Sequence, residues 1–307
     1  MIVDIKYNGV DITQHVNLTK AIGYDMSGGS CDHIVLEFED PELWMSWKPK
    51  TDDVIEIMNG KYSSGNMFIN SVSPEDGAFG IVATAIPSSA RRKFNMGYMH
   101  MTLDNIMESC AAESRMDKTI FGIDPMLKYN FLLREDEGCA AFLESIARME
   151  GAVLKCWNNR YTMIGIEKAQ TLAPLQTIDT EGDIRGMEYF HREDLRIRNL
   201  SVVSPYGNYT ATDTAARGDG SITLTGLPVT NNVQAARWAR NLLMINNRQA
   251  EKIQIDSTFN AGWTAMIRID IVGNGDMHGQ WIIDHVQHDF VGESSTAVLV
   301  RCIDTVV

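Results

Sequence analysis

At 307 residues the chain exceeds one average hydrophobic core, so its length predicts two or three domains. Its 44% hydrophobic and 22% charged content is that of a soluble globular protein, and no apolar run reaches the ~18 residues of a membrane-spanning helix. A net charge of −13, from 27 basic against 40 acidic residues, disfavours sequence-independent nucleic-acid binding, which needs clustered Lys and Arg.

Charged and polar residues run through the first stretch (Asp4, Lys6, Asp11, His15, Lys20), which argues against a signal peptide and for synthesis in the cytosol. Residues 1–88 read as all-β. Residues 2–7 predict a strand, Asn8-Gly9 a tight hairpin turn, and residues 10–13 its return. Over 34–39, Ile34, Leu36 and Phe38 share one face, and Asp40-Pro41 ends the run because proline cannot donate to a ladder. Residues 54–58, 67–72 and 79–85 complete five or six short strands at turn-punctuated spacing, the signature of a small barrel or sandwich. Carboxylates crowd 32–56 and read mostly as a solvated outer face. Pro87-Ser88-Ser89 marks a boundary.

Thr102 then caps a helix whose apolar stripe is Leu103, Ile106, Met107 and Cys110. A second helix over 137–150 puts Ala140, Leu143, Ile146 and Ala147 on one face, with Gly151 where a left-handed residue ends it. Residues 153–157 and 160–166 form a hairpin about Asn158-Asn159. Residues 89–168 are therefore a small α/β unit. A polar connection over 169–183 leads to a strand over 184–203 and to a long loop or extended hairpin over 206–220, within a looser stretch of about 204–230. Asn231 and Gln234 resemble a capping box for a helix over 233–246, with Ala235, Trp238, Ala239 and Leu242 as its stripe. Strands over 252–259, 266–272, 281–290 and 296–303 follow, with turns at Gly273-Asn274-Gly275 and Gly292-Glu293-Ser294. The fold class is mainly β, with two β-rich domains around an α+β insert.

No zinc-protease, nucleophile-elbow, phosphate-loop, EF-hand or C-x-x-C motif is present. The five cysteines, Cys31, Cys110, Cys139, Cys156 and Cys302, read as free, mostly buried thiols. The glycine-rich run over 273–279 lies between antiparallel strands and reads as a hairpin. Asp284, His285 and His288, with His278 nearby, invite a metal, but strand alternation puts only Asp284 and His288 on one face, short of the three or four ligands required. Glu37 and Glu39 share a strand face about 7 Å apart, yet the pattern fits an exposed polar face better than a hydrolytic pair. Trp44 and Trp47 suit either an aromatic platform or the plug of a barrel end. No catalytic residue, cofactor or metal site is expected.

Three ordered stretches carry a likeness. Glu37-Phe38-Glu39-Asp40-Pro41, Trp44, Trp47-Lys48-Pro49 and Asp53-Val54-Ile55 come first. The run Ala141-Phe142-Leu143-Glu144-Ser145-Ile146-Ala147-Arg148-Met149-Glu150-Gly151-Ala152 is second. Third are Ala235-Ala236-Arg237-Trp238-Ala239-Arg240-Asn241-Leu242-Leu243 and, later, Gly279-Gln280-Trp281-Ile282-Ile283-Asp284-His285-Val286-Gln287-His288. Together they resemble the phage late-control D family of tail baseplate hub proteins. Thr51-Asp52-Asp53 departs from the Gly-Asp turn frequent in that family. The resemblance implies two tube-like β-barrels, at 1–88 and 169–307, around the small α/β domain at 89–168. It implies a structural protein, not an enzyme: a homotrimer whose six barrels match a six-fold tail tube on one side and a three-fold central spike on the other. Tail tube, spike, tape-measure and other baseplate proteins would be its partners, in a virion or in a DNA-free contractile particle such as a tailocin, with neither specific nucleic-acid binding nor membrane insertion. The acidic balance would suit a channel through which DNA or a tape-measure protein passes without sticking. The alternatives are the hub portion of a secretion-system spike and a hub with cell-wall hydrolase activity. Arg268 and Asp270, on a polar strand face, with Trp44 and Trp47, are the candidate interface residues.

Overall fold

A computed structural model describes residues 3–180, 186–273 and 275–307. Ile2, Ile184 and Asn274, which belong to expected elements, lie outside the described residues. The chain is mainly β. β1 (Asp4–Tyr7) turns at Asn8-Gly9 into β2 (Val10–Asp11). Both turn residues have positive φ, 48° and 80°, which Asn and Gly tolerate. β3 (Leu18–Met26) and β4 (His33–Phe38) precede α1 (Pro41–Trp47). Pro41 both stops β4 and opens α1, where its missing N–H costs nothing. β5 (Val54–Asn59), β6 (Tyr62–Ser63), β7 (Met67–Glu75), β8 (Ala78–Thr84) and the single turn α2 (Ser88–Arg91) complete this part.

The insert contains β9 (Phe94–Thr102), α3 (Leu103–Ser114), β10 (Asp117–Phe121), β11 (Lys128–Glu137), α4 (Cys139–Met149), β12 (Ala152–Trp157), β13 (Arg160–Gly165) and α5 (Ile166–Gln170). Thr102 caps α3, its hydroxyl accepting from Asn105 N at 3.2 Å, and the expected stripe is fully buried. On α4 the buried face is Cys139, Phe142, Leu143, Ile146 and Ala147; Ala140 is half-buried at its edge. Gly151 has φ +70°, and a Cβ there would meet the Asn241 side chain at 2.8 Å.

The last part runs β14 (Gln176–Asp179), β15 (Met187–His191), β16 (Asn199–Ser204), β17 (Gly207–Thr212), β18 (Ser221–Leu224), α6 (Asn232–Asn247), β19 (Glu251–Thr258), β20 (Arg268–Val272), β21 (Gly279–Asp289) and β22 (Ser294–Arg301). The expected strand over 184–203 is divided between β15 and β16, which join different sheets, and 206–220 begins as the extended arm β17. The α6 helix lies on β16, β17 and α4, not on the last four strands. Trp238 is fully buried there; Leu242 is only half-buried, because the buried face instead continues through Asn241, Leu243 and Met244.

One sheet path runs β15-β19-β22-β21-β3-β4-β8-β7-β5-β1-β2, with β20 and β14 added beside β21 and β6 beside β5. Its first half surrounds a core of its own, built from Ile253, Ile255, Trp263, Ile269, Ile271, Trp281, Ile283 and Leu299. Its second half packs Ile34, Leu36, Phe38, Trp44, Ile55, Ile57, Ile69 and Ile81 into a core that continues through the insert and α6. The strand that joins the halves, β3, is absent from the sequence reading. Its buried positions are Ala21, Gly23 and Asp25, two small residues and an acid, so no apolar alternation marks it. A Cβ on Gly23 would stand 3.0 Å from the Phe290 ring. Gly23→Val is accordingly expected to cost about 1–3 kcal/mol through overpacking at this seam, measurable by chemical denaturation.

Candidate functional site

The place where all parts meet is the edge of β21. Its first half, Gly279 to Ile282, pairs with β20; its second half, His285 to Asp289, pairs with β3. Asp284 falls between them as the extra residue of a bulge in the pairing with β22. Its backbone carbonyl accepts from Ser27 N at 2.8 Å, just past the end of β3. One long strand thus serves both halves of the sheet, β20 pairing before the bulge and β3 after it.

Beside this seam lies a buried ionic joint. Lys155, on β12 of the insert, donates to Asp25 Oδ1 at 2.7 Å and to Asp32 Oδ2 at 2.8 Å. Asp25 also accepts from Thr264 Oγ1 at 2.5 Å and from Ala265 N at 2.8 Å, so one carboxylate ties the first sheet, the insert and the last part together. Asp32 accepts from Met26 N at 2.8 Å. Burial pushes the Asp32 carboxyl up to about 6, against the pull of Lys155. Burial opposes the Lys155 charge as well, but Asp32 and Asp25 outweigh it and hold its pKa above the ordinary lysine range.

Two further clusters lock α6 in place. Glu150, with its side chain fully buried at the end of α4, accepts from Tyr129 Oη at 2.9 Å, Trp238 Nε1 at 2.8 Å, Arg237 Nε at 2.6 Å and Arg237 Nη2 at 3.0 Å. Asp213 accepts from Arg196 Nε at 2.9 Å, Asn247 Nδ2 at 2.8 Å, Thr305 Oγ1 at 2.6 Å and Ala215 N at 3.0 Å. Burial alone would raise the Asp213 carboxyl; these donors reverse it and hold it at about 2. Asp284 is likewise desolvated, yet His285, Arg248 and Ser27 bring it to about 2.

The two depressed carboxyls, Asp213 and Asp284, stabilise the folded chain in their ionised form. Their stabilisation is complete above the ordinary value of 3.8 and is lost as pH falls through about 2, at about 2 kcal/mol each. Asp32, with its raised pKa, acts the other way between 3.8 and about 6, where stability declines as pH rises. Denaturant midpoints measured from pH 7 downward are expected to hold or rise slightly to about pH 4 and then fall steeply. In Asp213→Asn the acid fall should be shallower, from a lower starting stability.

The residues singled out from sequence sit apart. Trp44 is fully buried, stacked on Phe79 at 5.7 Å and edge-on to Tyr7 at 5.6 Å, as a barrel plug. Trp47 is half-buried against Tyr7 and Trp44. Arg268 and Asp270 form a fork within the chain, with both contacts at 2.8 Å, and Arg268 Nη1 also donates to the carbonyls of Gln170 and Leu172 at 3.2 and 3.1 Å. Glu37 and Glu39 are exposed opposite buried Ile34, Leu36 and Phe38. The bulge at Asp284 changes the alternation expected beyond it: His288 points into the core, Nε2 donating to the Trp263 carbonyl at 3.2 Å and Nδ1 accepting from Ser295 Oγ at 2.8 Å. Burial lowers its pKa, which suits a neutral ring. Among the described residues no group of three His, Cys, Asp or Glu is placed to hold a metal ion, and no helix is long and apolar enough to cross a membrane.

Asp25, Asp32, Lys155, Glu150 and Asp213 were not anticipated. A signal existed for one of them: Asp25 continues the Ala21, Gly23 face of β3.

This architecture, one long sheet whose two halves join at β3 and β21 with an α/β insert against the seam, is similar to that of solved phage tail proteins. A tail protein from Neisseria meningitidis MC58 matches with a TM-score of 0.75 at 11% identity, over 98% of this chain and 96% of its own. The 43 kDa tail protein of prophage MuSo2 from Shewanella oneidensis matches with a TM-score of 0.74 at 11% identity, over 97% and 98%. An E. coli component of the type VI secretion system, described as structurally similar to the T4 bacteriophage tail proteins gp27 and gp5, matches with a TM-score of 0.64 at 10% identity, over 98% and 77%. No protein-family model and no curated protein matches the chain.

Proposed function

We propose that the chain is the structural baseplate hub of a phage tail or of a phage-derived contractile injection particle. Three copies close into a ring with pseudo-six-fold character that joins the tail tube to the central spike, with the tape-measure and other baseplate proteins as further neighbours. Its role is assembly in the tail, not catalysis. The units are those bounded near residues 88 and 168. The observation that carries this reading is the pairing of β3 with β21, which joins the two halves of the chain's long sheet, in a fold that tail proteins match end to end. A closed ring of heterologous contacts is what such a pair of unlike halves can form. Light scattering of the pure chain is expected to give the mass of three copies. A strict monomer that is also absent from tail fractions contradicts the proposal.

Arg268, Asp270, Trp44 and Trp47 enter this reading as the interface set, Trp44 only through the seat it gives Trp47. Because Arg268 and Asp270 also bind each other, the informative variant is the exchange Arg268→Asp/Asp270→Arg. It keeps a fork and is expected to unfold within about 1 kcal/mol of the parent while failing to form the ring. An unchanged trimer removes both residues from the interface. A second reading, the hub portion of a secretion-system spike, is supported by the likeness to the E. coli component. Neighbouring genes separate the two: tail tube, tape-measure and spike genes against a secretion cluster.

A further inference from the structure

Arg248 follows α6 and begins a 3-10 turn, Arg248–Ala250. It is 3% exposed, and its guanidinium makes no hydrogen bond among the described residues. Its ion-pair partner, Asp284 Oδ1, stands 3.7 Å from Nη2, beyond hydrogen-bond reach. The hydrogen bonds of that carboxylate go instead to Ser27 Oγ at 3.0 Å and to His285 Nδ1 at 3.2 Å. Lys155, by contrast, is hydrogen-bonded to two aspartates, and the buried Arg134 on β11 twice to Glu113 at 2.9 Å. Burial works against the Arg248 charge, but a guanidinium does not give up its proton at neutral pH. A buried cation with unmet donors is costly, and the molecule keeps it.

Arg248 lines a cavity of about 330 Å³ at the meeting of the β3–β4 connection, α4 and the end of α6. Gly28 and Gly29 form one wall, and a Cβ on Gly28 would strike Glu144 Oε1 at 2.9 Å. Arg148, exposed on α4 and in no salt bridge among the described residues, and Gln249 line it as well. The carboxylates at its margin are both engaged: Asp284 as above, and Glu144, which accepts from Gly29 N at 3.1 Å.

We propose that this cavity binds one oxyanion, a carboxylate or a phosphate group, gripped by the Arg248 guanidinium with Arg148 at the mouth. Arginine presents paired N–H donors that match two oxygens of such a group. The inference goes beyond the hub reading and does not depend on it.

Thermal unfolding of the full chain at matched ionic strength tests it, with chloride, inorganic phosphate and malonate as the anions. The unmodified chain is expected to melt several degrees higher in millimolar phosphate, malonate or both than in chloride. A response to malonate alone assigns the site to carboxylates, and to phosphate alone, to phosphates. Arg248→Met is expected to lose that response and to melt below the parent in chloride, because the buried Asp284 carboxylate loses its ion-pair partner. Equal responses in parent and variant overturn the proposal, as does no response in the parent. Calorimetric titration of the unmodified chain needs no variant to fold: one site per chain is expected, about tenfold weaker in Arg248→Lys, and absence of binding by both anions overturns the assignment.

Discussion

Replacing Lys155 by methionine is expected to destabilise the protein by about 3–5 kcal/mol, the cost of leaving buried carboxylates without their cation. Among the described residues Lys155 is the sole cation bonded to both Asp25 and Asp32, whose side chains are 11% and 5% exposed. With it gone, two acids face each other across the space it filled, and at neutral pH at least one must take up a proton to stay buried. The loss should therefore be largest near pH 7 and smaller near pH 5. The triple variant Asp25→Asn/Asp32→Asn/Lys155→Met separates charge from packing. It is expected to recover a large part of the loss, since a buried ion pair adds little over a neutral replacement of similar volume. Denaturant midpoints of the single and triple variants check both statements. Equal losses in the two would place the effect in packing. The functional consequence is rigidity. The insert touches the seam through this cluster, so a loosened cluster frees it to move against the long sheet.

The second large effect belongs to Glu150→Ala, expected to cost about 3–5 kcal/mol for the same reason with the sign reversed. Here one buried carboxylate satisfies Arg237, Trp238 and Tyr129. Without it Arg237 loses its only ion pair among the described residues, and the Trp238 indole N–H is left buried and unmet. The Tyr129 hydroxyl, whose pKa is raised by burial and by Glu150, is expected to titrate at lower pH in the variant. Amide exchange should show α6 opening before the strands around Trp281, because α6 shares its core with the insert and those strands have their own. Uniform protection loss across both cores would contradict that separation.

Periodicity exposed the elements whose buried face is apolar. The stripe of α3, the turns at Asn8-Gly9 and Asn158-Asn159, and the strands around Ile55, Ile81, Ile269 and Leu299 were legible because their residues carry the local rule by themselves. Three other kinds of element were not. In β3, Ala21, Gly23 and Asp25 occupy the inward positions, so the strand that joins the two halves of the sheet leaves no hydrophobic trace. In β9 and β11, Phe94, Met99, Phe131 and Leu133 are exposed, so apolarity there does not report burial. In β14, Gln176–Asp179 is a polar run that becomes a strand only because β20 offers it a parallel edge. The joint was hidden for a related reason. Asp25, Asp32 and Lys155 lie in three separate segments, and a lysine flanked by Leu154 and Cys156 gives no sign of which acids it will meet. Trp44 shows the converse: its two possible roles were written in the sequence, and only the packing of Phe38, Phe79 and Tyr7 around it chose the plug.

Electron microscopy of the assembled ring, viewed down its axis, is the direct test of the hub reading. The expected image has three copies and six β lobes around a channel, each chain giving two adjacent lobes joined along β3 and β21, with the inserts outside them. A ring with one lobe per chain, or a symmetry without a three-fold axis, would contradict it.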